Sequence, residues 1–343
     1  MIEKEDQLIT KDDYLILYVI GYRNQGESII LSIGDKFLGV IDCFKVRDKF
    51  ETKRIIKELG IPIDFICWTH VDWDHTYGLS ELKEFMNENT SIIVPEGLGS
   101  KEIRNLFYDP THYQHKEYCS IYNIIDDTEK FISANDNTEI YNFKFKYQGD
   151  EIDFIMKSFA PMSKIVRDLN KKDIKNLVKS VGIDKKLGYN WYEESNKLNN
   201  LFSVGLEITI KLKSEDIRIC LTGDLDNETI EKMDPIKVNR IFSRNTVLKI
   251  PHHGSHNAGR LIDYNYKNRI AYKYAISTSF KQGNIILPRE DIIDKYKKNG
   301  KVYRTDFKDK DQYGIVIYKY PLISKIESDD YKEIETLADA DEA

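Results

Sequence analysis

Apolar and polar positions alternate in short blocks through the first forty residues. Tyr14 to Ile20, Ser28 to Ile33 and Phe37 to Ile41 read as strands, with Gly26 and the Gly34-Asp35 pair supplying turns between them. The pattern predicts an antiparallel meander ending at Asp42. From Phe50 to Leu59 the spacing changes, because Ile55, Ile56 and Leu59 fall on one helical face and Gly60 closes the segment before the apolar run Ile63 to Thr69. Gly78 to Met86 predicts a second helix, and Ser91 to Val94 a strand stopped by Pro95. Residues 96 to 138 are weakly patterned, while Tyr141 to Phe145 and Ile152 to Phe159 return to strand character. Helical spacing from Ser163 to Val181 breaks at Asn170-Lys171-Lys172, so an insertion carrying some helix is expected at about 96–200.

The second half repeats the alternation. Phe202 to Leu212, Ile217 to Thr222, Val247 to Ile250 and Tyr274 to Ser277 read as strands, with helices near Arg260 and from Arg289 to Lys298. Two β-rich halves with flanking helices predict an α/β protein, a four-layer αββα sandwich. One domain over residues 1–326 is expected, and no short-period repeat suggests a solenoid.

Chemistry concentrates at the ends of the predicted strands. Residues 68 to 78 read Trp-Thr-His-Val-Asp-Trp-Asp-His-Thr-Tyr-Gly, which places His70, Asp72, Asp74 and His75 within six positions. Imidazoles and carboxylates crowded onto one turn suit a divalent cation, and burying such carboxylates without one would be costly. A second strand ends in Thr222-Gly223-Asp224, and a third in Lys249-Ile250-Pro251-His252-His253-Gly254-Ser255. An aspartate can bridge two cations, and paired histidines at a strand end are an unusual choice without a metal. Five of the seven histidines, His70, His75, His252, His253 and His256, fall in two segments; His112 and His115 read as surface residues.

Composition sets limits without adding chemistry. The 343 residues are 41% hydrophobic and carry a net charge of −6, but residues 327–343 hold eight acids against Lys332, a contribution of −7, which leaves the rest at +1. That acidic end reads as a disordered tail. The longest early apolar stretch, Tyr14 to Tyr22, is too short to span a membrane, and the first residues are acidic, so neither a membrane anchor nor a signal peptide is expected. Cys43, Cys67, Cys119 and Cys220 are widely spaced and suit a reduced, cytoplasmic protein.

The ordered motifs resemble the metallo-β-lactamase superfamily, and within it the nuclease-like domain of ComEC-type DNA-uptake proteins. Gln25-Gly26-Glu27-Ser28 with Val40-Ile41-Asp42 is similar to the opening strands, Thr69 to His75 to a His-x-Asp-x-Asp-His motif, and Ile250 to Ser255 to Pro-His-His-Gly-Ser. Asn199-Asn200 with Ser203, Thr222-Gly223-Asp224 and Val302 to Asp306 follow the same order. Two departures stand out: Asp72 replaces a commoner histidine, and Leu287 falls where the family tends to carry His-Pro.

The resemblance implies a metal-dependent phosphodiester hydrolase, most readily a DNase, with Asp72 and Asp74 as catalytic carboxylates. By analogy His70 and Asp72 with Asp224 would hold one cation, and Asp74 and His75 with Asp224 and His252 or His253 another. Asp42 would orient a histidine, and Lys249, Ser255 and Asn284 would contact substrate phosphate. Two divalent ions are implied, with manganese favoured by the oxygen-rich donors and zinc or magnesium as alternatives. Two basic stretches, Pro161 to Leu187 and Arg260 to Tyr313, the second interleaved with tyrosines, suit nucleic acid. The expected setting is a cytoplasmic protein without membrane association, with a protein partner in a defence or repair system. Hydrolysis of a small phosphodiester, lactone or thioester is the competing enzymatic reading, and a degenerate binding sandwich the non-enzymatic one.

Overall fold

Alternation along β2 (Tyr14–Tyr22) sends Leu15, Leu17 and Val19 to one face and Ile16, Tyr18 and Ile20 to the other, so this strand must be covered on both sides. That requirement sets the architecture. The computed structural model of the chain describes all residues except 3, 24, 99–112, 170–198, 264–269, 307–310 and 324–332, and describes only the backbone of 113–115, 168, 169 and 199.

Two mixed sheets stack face to face. The first joins β2, β3 (Gly26–Ile33), β4 (Phe37–Ile41), β5 (Phe65–Cys67), β6 (Ser91–Pro95), β7 (Phe131–Ala134), β17 (Tyr313–Pro321) and β18 (Ile334–Ala338) in the order β18-β17-β2-β3-β4-β5-β6-β7. The second joins β1 (Gln7–Leu8), β8 (Glu139–Tyr147), β9 (Asp150–Ala160), β10 (Gly205–Lys211), β11 (Asp216–Leu221), β12 (Asn245–Lys249), β13 (Tyr272–Ser277), β16 (Lys301–Arg304) and β19 (Asp341–Glu342) in the order β1-β8-β9-β10-β11-β12-β13-β16-β19. A separate hairpin pairs β14 (Phe280–Gln282) with β15 (Ile285–Leu287).

Between the sheets lies a core built from Leu15, Leu17, Ile29, Leu31 and Phe37 on one side and Phe143, Phe145, Phe154, Met156 and Ile208 on the other. Helices α1 (Glu51–Leu59) and α2 (Tyr113–Asp127) cover the first sheet through Ile55, Ile56, Tyr118 and Ile121. A short helix, α3 (Ser163–Leu169), follows β9. Helices α4 (Asn227–Lys232), α5 (Pro235–Phe242) and α6 (Glu290–Lys297) cover the second through Ile230, Val238, Phe242, Ile293 and Tyr296. The expected four-layer αββα sandwich is therefore what the chain forms. No described helix is long and apolar enough to cross a membrane.

The two sheets share one design. In each, an antiparallel half gives way to a parallel half: β4, β5, β6 and β7 run parallel in the first, and β11, β12, β13 and β16 in the second. The C-terminal ends of parallel strands are where open α/β sheets gather ligand groups. Both sheets bring those ends to the same rim.

Three expectations need correction. The described part of 96–200 is not an insertion, because β7 extends the first sheet while β8 and β9 complete the second and supply Phe143, Phe145 and Phe154 to the core. Nor are residues 334–342 a disordered tail: β18 pairs with β17, β19 pairs with β16, and Ala340 between them is fully buried in the inter-sheet core. Edge pairing satisfies backbone groups whatever the side-chain charge, which composition cannot reveal. Leu79–Phe85 winds as a 3-10 segment rather than an α-helix, with the Glu117 carboxylate accepting from the Gly78 and Ser80 N–H groups.

Phe37 packs against Phe65, Tyr141, Phe143 and Phe154 at centroid distances of 4.8 to 5.8 Å. Phe37→Ala is expected to cost about 3–5 kcal/mol of stability, the usual range for an aromatic truncation that leaves a cavity. Urea unfolding, read as a fall in midpoint at unchanged slope, measures it.

Candidate metal centre

The ligand-type side chains stand just beyond neighbouring strand ends. From the first sheet come Asp42 after β4 and the run His70 to His75 after β5; from the second come Asp224 after β11 and His252 and His253 after β12. Backbone geometry holds them there. The Val204 N–H donates to the Thr69 carbonyl across the seam, and the Cys43 N–H to the His75 carbonyl. Thr76 donates to the Asp72 carbonyl at 2.7 Å while accepting from the Trp68 indole at 2.9 Å, which folds residues 73–75 into a tight 3-10 turn.

Two glycines give the room this requires. A Cβ on Gly26 would lie 2.4 Å from the Asp74 carbonyl oxygen, and one on Gly223 would lie 2.4 Å from Ser203 Oγ, the acceptor of the Asp224 N–H. Asp42, His252 and His253 hold left-handed backbone at φ of 55°, 47° and 50°. Such positions store strain of the order of 1–3 kcal/mol each and persist where the surroundings over-determine them.

Ligand atoms of Asp74, His75, Asp224 and His253 lie within 4.8 Å of one another. His253 Nε2 is 3.1 Å from Asp74 Oδ2 and 3.6 Å from Asp224 Oδ2; His75 Nε2 is 3.4 Å from both Asp74 Oδ2 and Asp224 Oδ1. Buried His75 Nε2, Asp224 Oδ1 and His70 Nε2 have no hydrogen-bond partner. Leaving such groups orphaned costs about 1–3 kcal/mol apiece. A divalent cation would take these atoms as ligands, so the donor set fits one.

His70 and Asp72 stand beside this quartet, with His70 Nε2 3.4 Å from Asp72 Oδ2 and Asp72 partly open to solvent. They could serve a second cation alongside Asp224. His252 has its Nε2 3.9 Å from Asp224 Oδ2 and remains 18% exposed, so of the paired histidines it is His253 that joins the quartet.

Asp42 also lies near His70 and His75, but its oxygens are engaged. Oδ1 accepts from the Thr69 N–H at 2.7 Å, and Oδ2 accepts from Thr69 Oγ1 at 2.6 Å and His75 Nδ1 at 2.7 Å. Thr69 Oγ1, having given its proton to Asp42, accepts from His70 Nδ1 at 2.8 Å. Asp42 thus turns both Nε2 atoms towards the cluster, the orienting role expected of it.

Charge is finely divided. Burial pushes the His75 imidazole down, but Asp224, Asp74 and Asp42 outweigh it and hold it well above the ordinary histidine range. Burial likewise lowers His70, yet Asp72 and Asp224 leave it raised. Asp224 is pushed up by burial and held well below the usual carboxylate range by His253, His75 and His252. Burial lowers His252 and prevails.

Other expectations fare differently. Lys249, expected to touch substrate phosphate, is fully buried with its Nζ 2.8 Å from Glu27 Oε2, so it cannot reach a ligand. A β-strand's last residue points into the layer here, and a buried carboxylate pairs with it. Ser255 Oγ accepts from the Asn257 N–H and caps the next turn. Asn284 is exposed in the β14–β15 turn, and neither residue joins the quartet. Leu287 is buried opposite Phe280, whose ring stacks on His253 at 5.4 Å and 18°. His112 and the His115 side chain lie outside the described residues, as does most of the basic stretch Pro161 to Leu187. Sequence reading missed Glu27, Thr69, Thr278 and Phe280 as site residues. The one available signal was Glu27, a charge standing at the head of an apolar strand.

No family model and no curated protein matches the chain. Among solved structures it is similar to a B3 metallo-β-lactamase with an active-site glutamic acid, at 10% identity, TM-score 0.31, 65% of this chain and 64% of that one, so the chain spans just under two thirds of that protein. It is similar to MEM-A1, a subclass B3 metallo-β-lactamase from a soil metagenome library, at 10% identity, TM-score 0.35, 78% of this chain and 86% of that one. BJP-1, a subclass B3 metallo-β-lactamase of Bradyrhizobium japonicum, is similar at 14% identity, TM-score 0.32, 68% of this chain and 73% of that one.

Two outcomes follow from the geometry. Lys249→Met strands Glu27 in the interior and is expected to cost about 3–5 kcal/mol, the range for breaking a buried ion pair from one side; denaturant unfolding reads it. The raised His75 and His70 values stabilise the metal-free protein below about pH 6.5, the ordinary histidine value, and that stability drains away as pH rises through the raised values. Cation uptake displaces the same protons. The gap in melting temperature between manganese-loaded and metal-free protein is therefore expected to widen as pH rises from 6 to 8.

Proposed function

We propose that the chain is a metal-dependent hydrolase of phosphodiesters, with nucleic acid as its substrate class. The observation that carries this reading is the quartet Asp74, His75, Asp224 and His253, buried at the seam of two sheets with His75 Nε2 and Asp224 Oδ1 unpartnered. Carboxylates supply half of these donors and Asp72 adds another beside His70, a balance that suits manganese better than an all-imidazole site would.

A divalent cation bound there would supply an acidified water and polarise a phosphoryl group. The chain's own residues do the rest. Asp42 fixes His70 and His75. His252, the most open of the four site histidines, has its Nδ1 3.3 Å from Asn200 Nδ2. With the Asn200 amide oriented to donate, His252 keeps its proton on Nε2 and can donate to a substrate oxygen. Trp73, stacked on Tyr77 at 4.6 Å, stands between Asp72 and Asp74 and offers an aromatic face near the rim.

One observation favours a smaller phosphodiester. Within Arg260 to Tyr313, six of the nine described cations, Arg260, Lys273, Lys295, Lys297, Lys301 and Arg304, pair with carboxylates, which blunts the attraction to a phosphate backbone. Among the described residues of this stretch Lys281, Arg289 and Lys298 stand outside those pairs, the first two in and beside the hairpin next to His253. As a nuclease the protein would act on DNA in the cytoplasm, in repair or defence and alongside a protein partner.

Incubation of wild type and Asp74→Ala with manganese and single- or double-stranded DNA tests the reading. Wild type is expected to degrade DNA and the variant to lose at least about 100-fold, the scale of several kcal/mol that a metal contributes. Metal binding without DNA cleavage would sink the nuclease reading, and turnover of bis(nitrophenyl) phosphate alone would assign a small substrate. A wild type that takes up no metal would leave only a binding protein.

A further inference from the structure

Glu27 and Lys249 form an ion pair with 1% and 0% exposure, directly behind the quartet and without a place in the chemistry above. Such a pair is a poor device for stability, because desolvating two charges consumes most of the Coulombic gain. What the carboxylate does beyond pairing is visible in its second contact. Thr278, fully buried just after β13, donates its hydroxyl proton to Glu27 Oε2, and the same hydroxyl oxygen lies 2.8 Å from His253 Nδ1.

The direction of these bonds is fixed by elementary chemistry. An ionised carboxylate only accepts, and a threonine hydroxyl has one proton to give. With that proton committed to Glu27, the Thr278 oxygen must accept from His253 Nδ1–H. Nε2, which faces Asp74 and Asp224 and hydrogen-bonds Asp74 Oδ2 at 3.1 Å, is then the nitrogen whose proton a cation would replace. The Lys249 ammonium, 2.8 Å from Oε2 in the buried interior, keeps Glu27 an ionised acceptor. The arrangement repeats, for a histidine of the second sheet, the series His70 Nδ1, Thr69 Oγ1, Asp42 on the first.

We propose that Glu27, acting through Thr278 and held in place by Lys249, is a positioning residue that fixes the His253 Nδ1 proton and so presents Nε2 to the metal cluster. The inference rests on the reading that the quartet holds a cation. Glu27 belongs to β3 of the first sheet, whereas Thr278, Lys249 and His253 belong to the second, so this relay also orients a ligand of one sheet from the other. Phe280 stacked on the His253 ring resists its rotation and leaves the proton's location to the relay.

The test uses Thr278→Val, which keeps shape and removes the hydroxyl, Thr278→Ser, which keeps the hydroxyl, and Glu27→Gln. Zinc and manganese affinity is measured by competition with a chromophoric chelator, and histidine tautomers by long-range proton–nitrogen NMR of the zinc-loaded protein. Thr278→Val and Glu27→Gln are expected to weaken metal binding about 10- to 100-fold, the usual cost of losing a partner behind a ligand. Thr278→Val should also erase the slowly exchanging His253 Nδ1–H signal while leaving those of His70 and His75, and Thr278→Ser should restore both readouts. Unchanged affinity and an unchanged His253 spectrum in Thr278→Val, with melting temperature retained, would overturn the proposal. If wild type binds neither metal, the cation reading fails on its own, and the His253 Nδ1–H signal of the metal-free protein still decides the relay: its survival in Thr278→Val would refute it.

Discussion

Everything at the rim depends on two buried carboxylates that accept more than they are given. Asp42 and Glu27 are each about 1% exposed, and each must find donors in the interior because an uncompensated charge there would be prohibitive. Asp42 finds the Thr69 N–H and hydroxyl and His75; Glu27 finds Thr278 and Lys249. Satisfying these oxygens fixes the rotamers of three imidazoles as a by-product. The ligand atoms are aimed before any cation arrives.

The sandwich thereby brings two half-sites to one line. Each sheet changes from antiparallel to parallel pairing, and each places an aspartate, a threonine and a histidine beyond its parallel strands. Neither half is complete alone, since the quartet draws Asp74 and His75 from one sheet and Asp224 and His253 from the other. Phe37, Phe143 and Phe154 pack against one another between the two sheets.

How much of this was legible in the sequence depended on spacing. Residues His70 to His75 were visible because four ligand-type side chains crowded onto one turn repel or desolvate one another unless a cation binds them, and His252-His253 for a similar reason. Asp224 needed the strand before it. Glu27, Thr69 and Thr278 were not legible as a relay, because a threonine beside a strand end is commonplace and its meaning comes from a partner up to 251 positions away. Lys249 was misread for a related reason: a lysine near histidines suggests phosphate, and only the fold shows that it points inward to Glu27. The acidic end was misread because net charge says nothing about whether a backbone edge awaits a strand.

The pairing of β2 with β17 sets Val19 opposite Val316, and β18 then pairs beyond β17. The first sheet is therefore closed by segments made near the two ends of the chain, and contacts of that separation form slowly. While a ribosome is still extending the polypeptide, β2 to β5 can pair, yet their neighbour β17 does not exist. Assembly order therefore matters at the rim: a chain made only as far as β6 carries His70 and His75, while Asp224 and His253, which complete the quartet, are not yet synthesised.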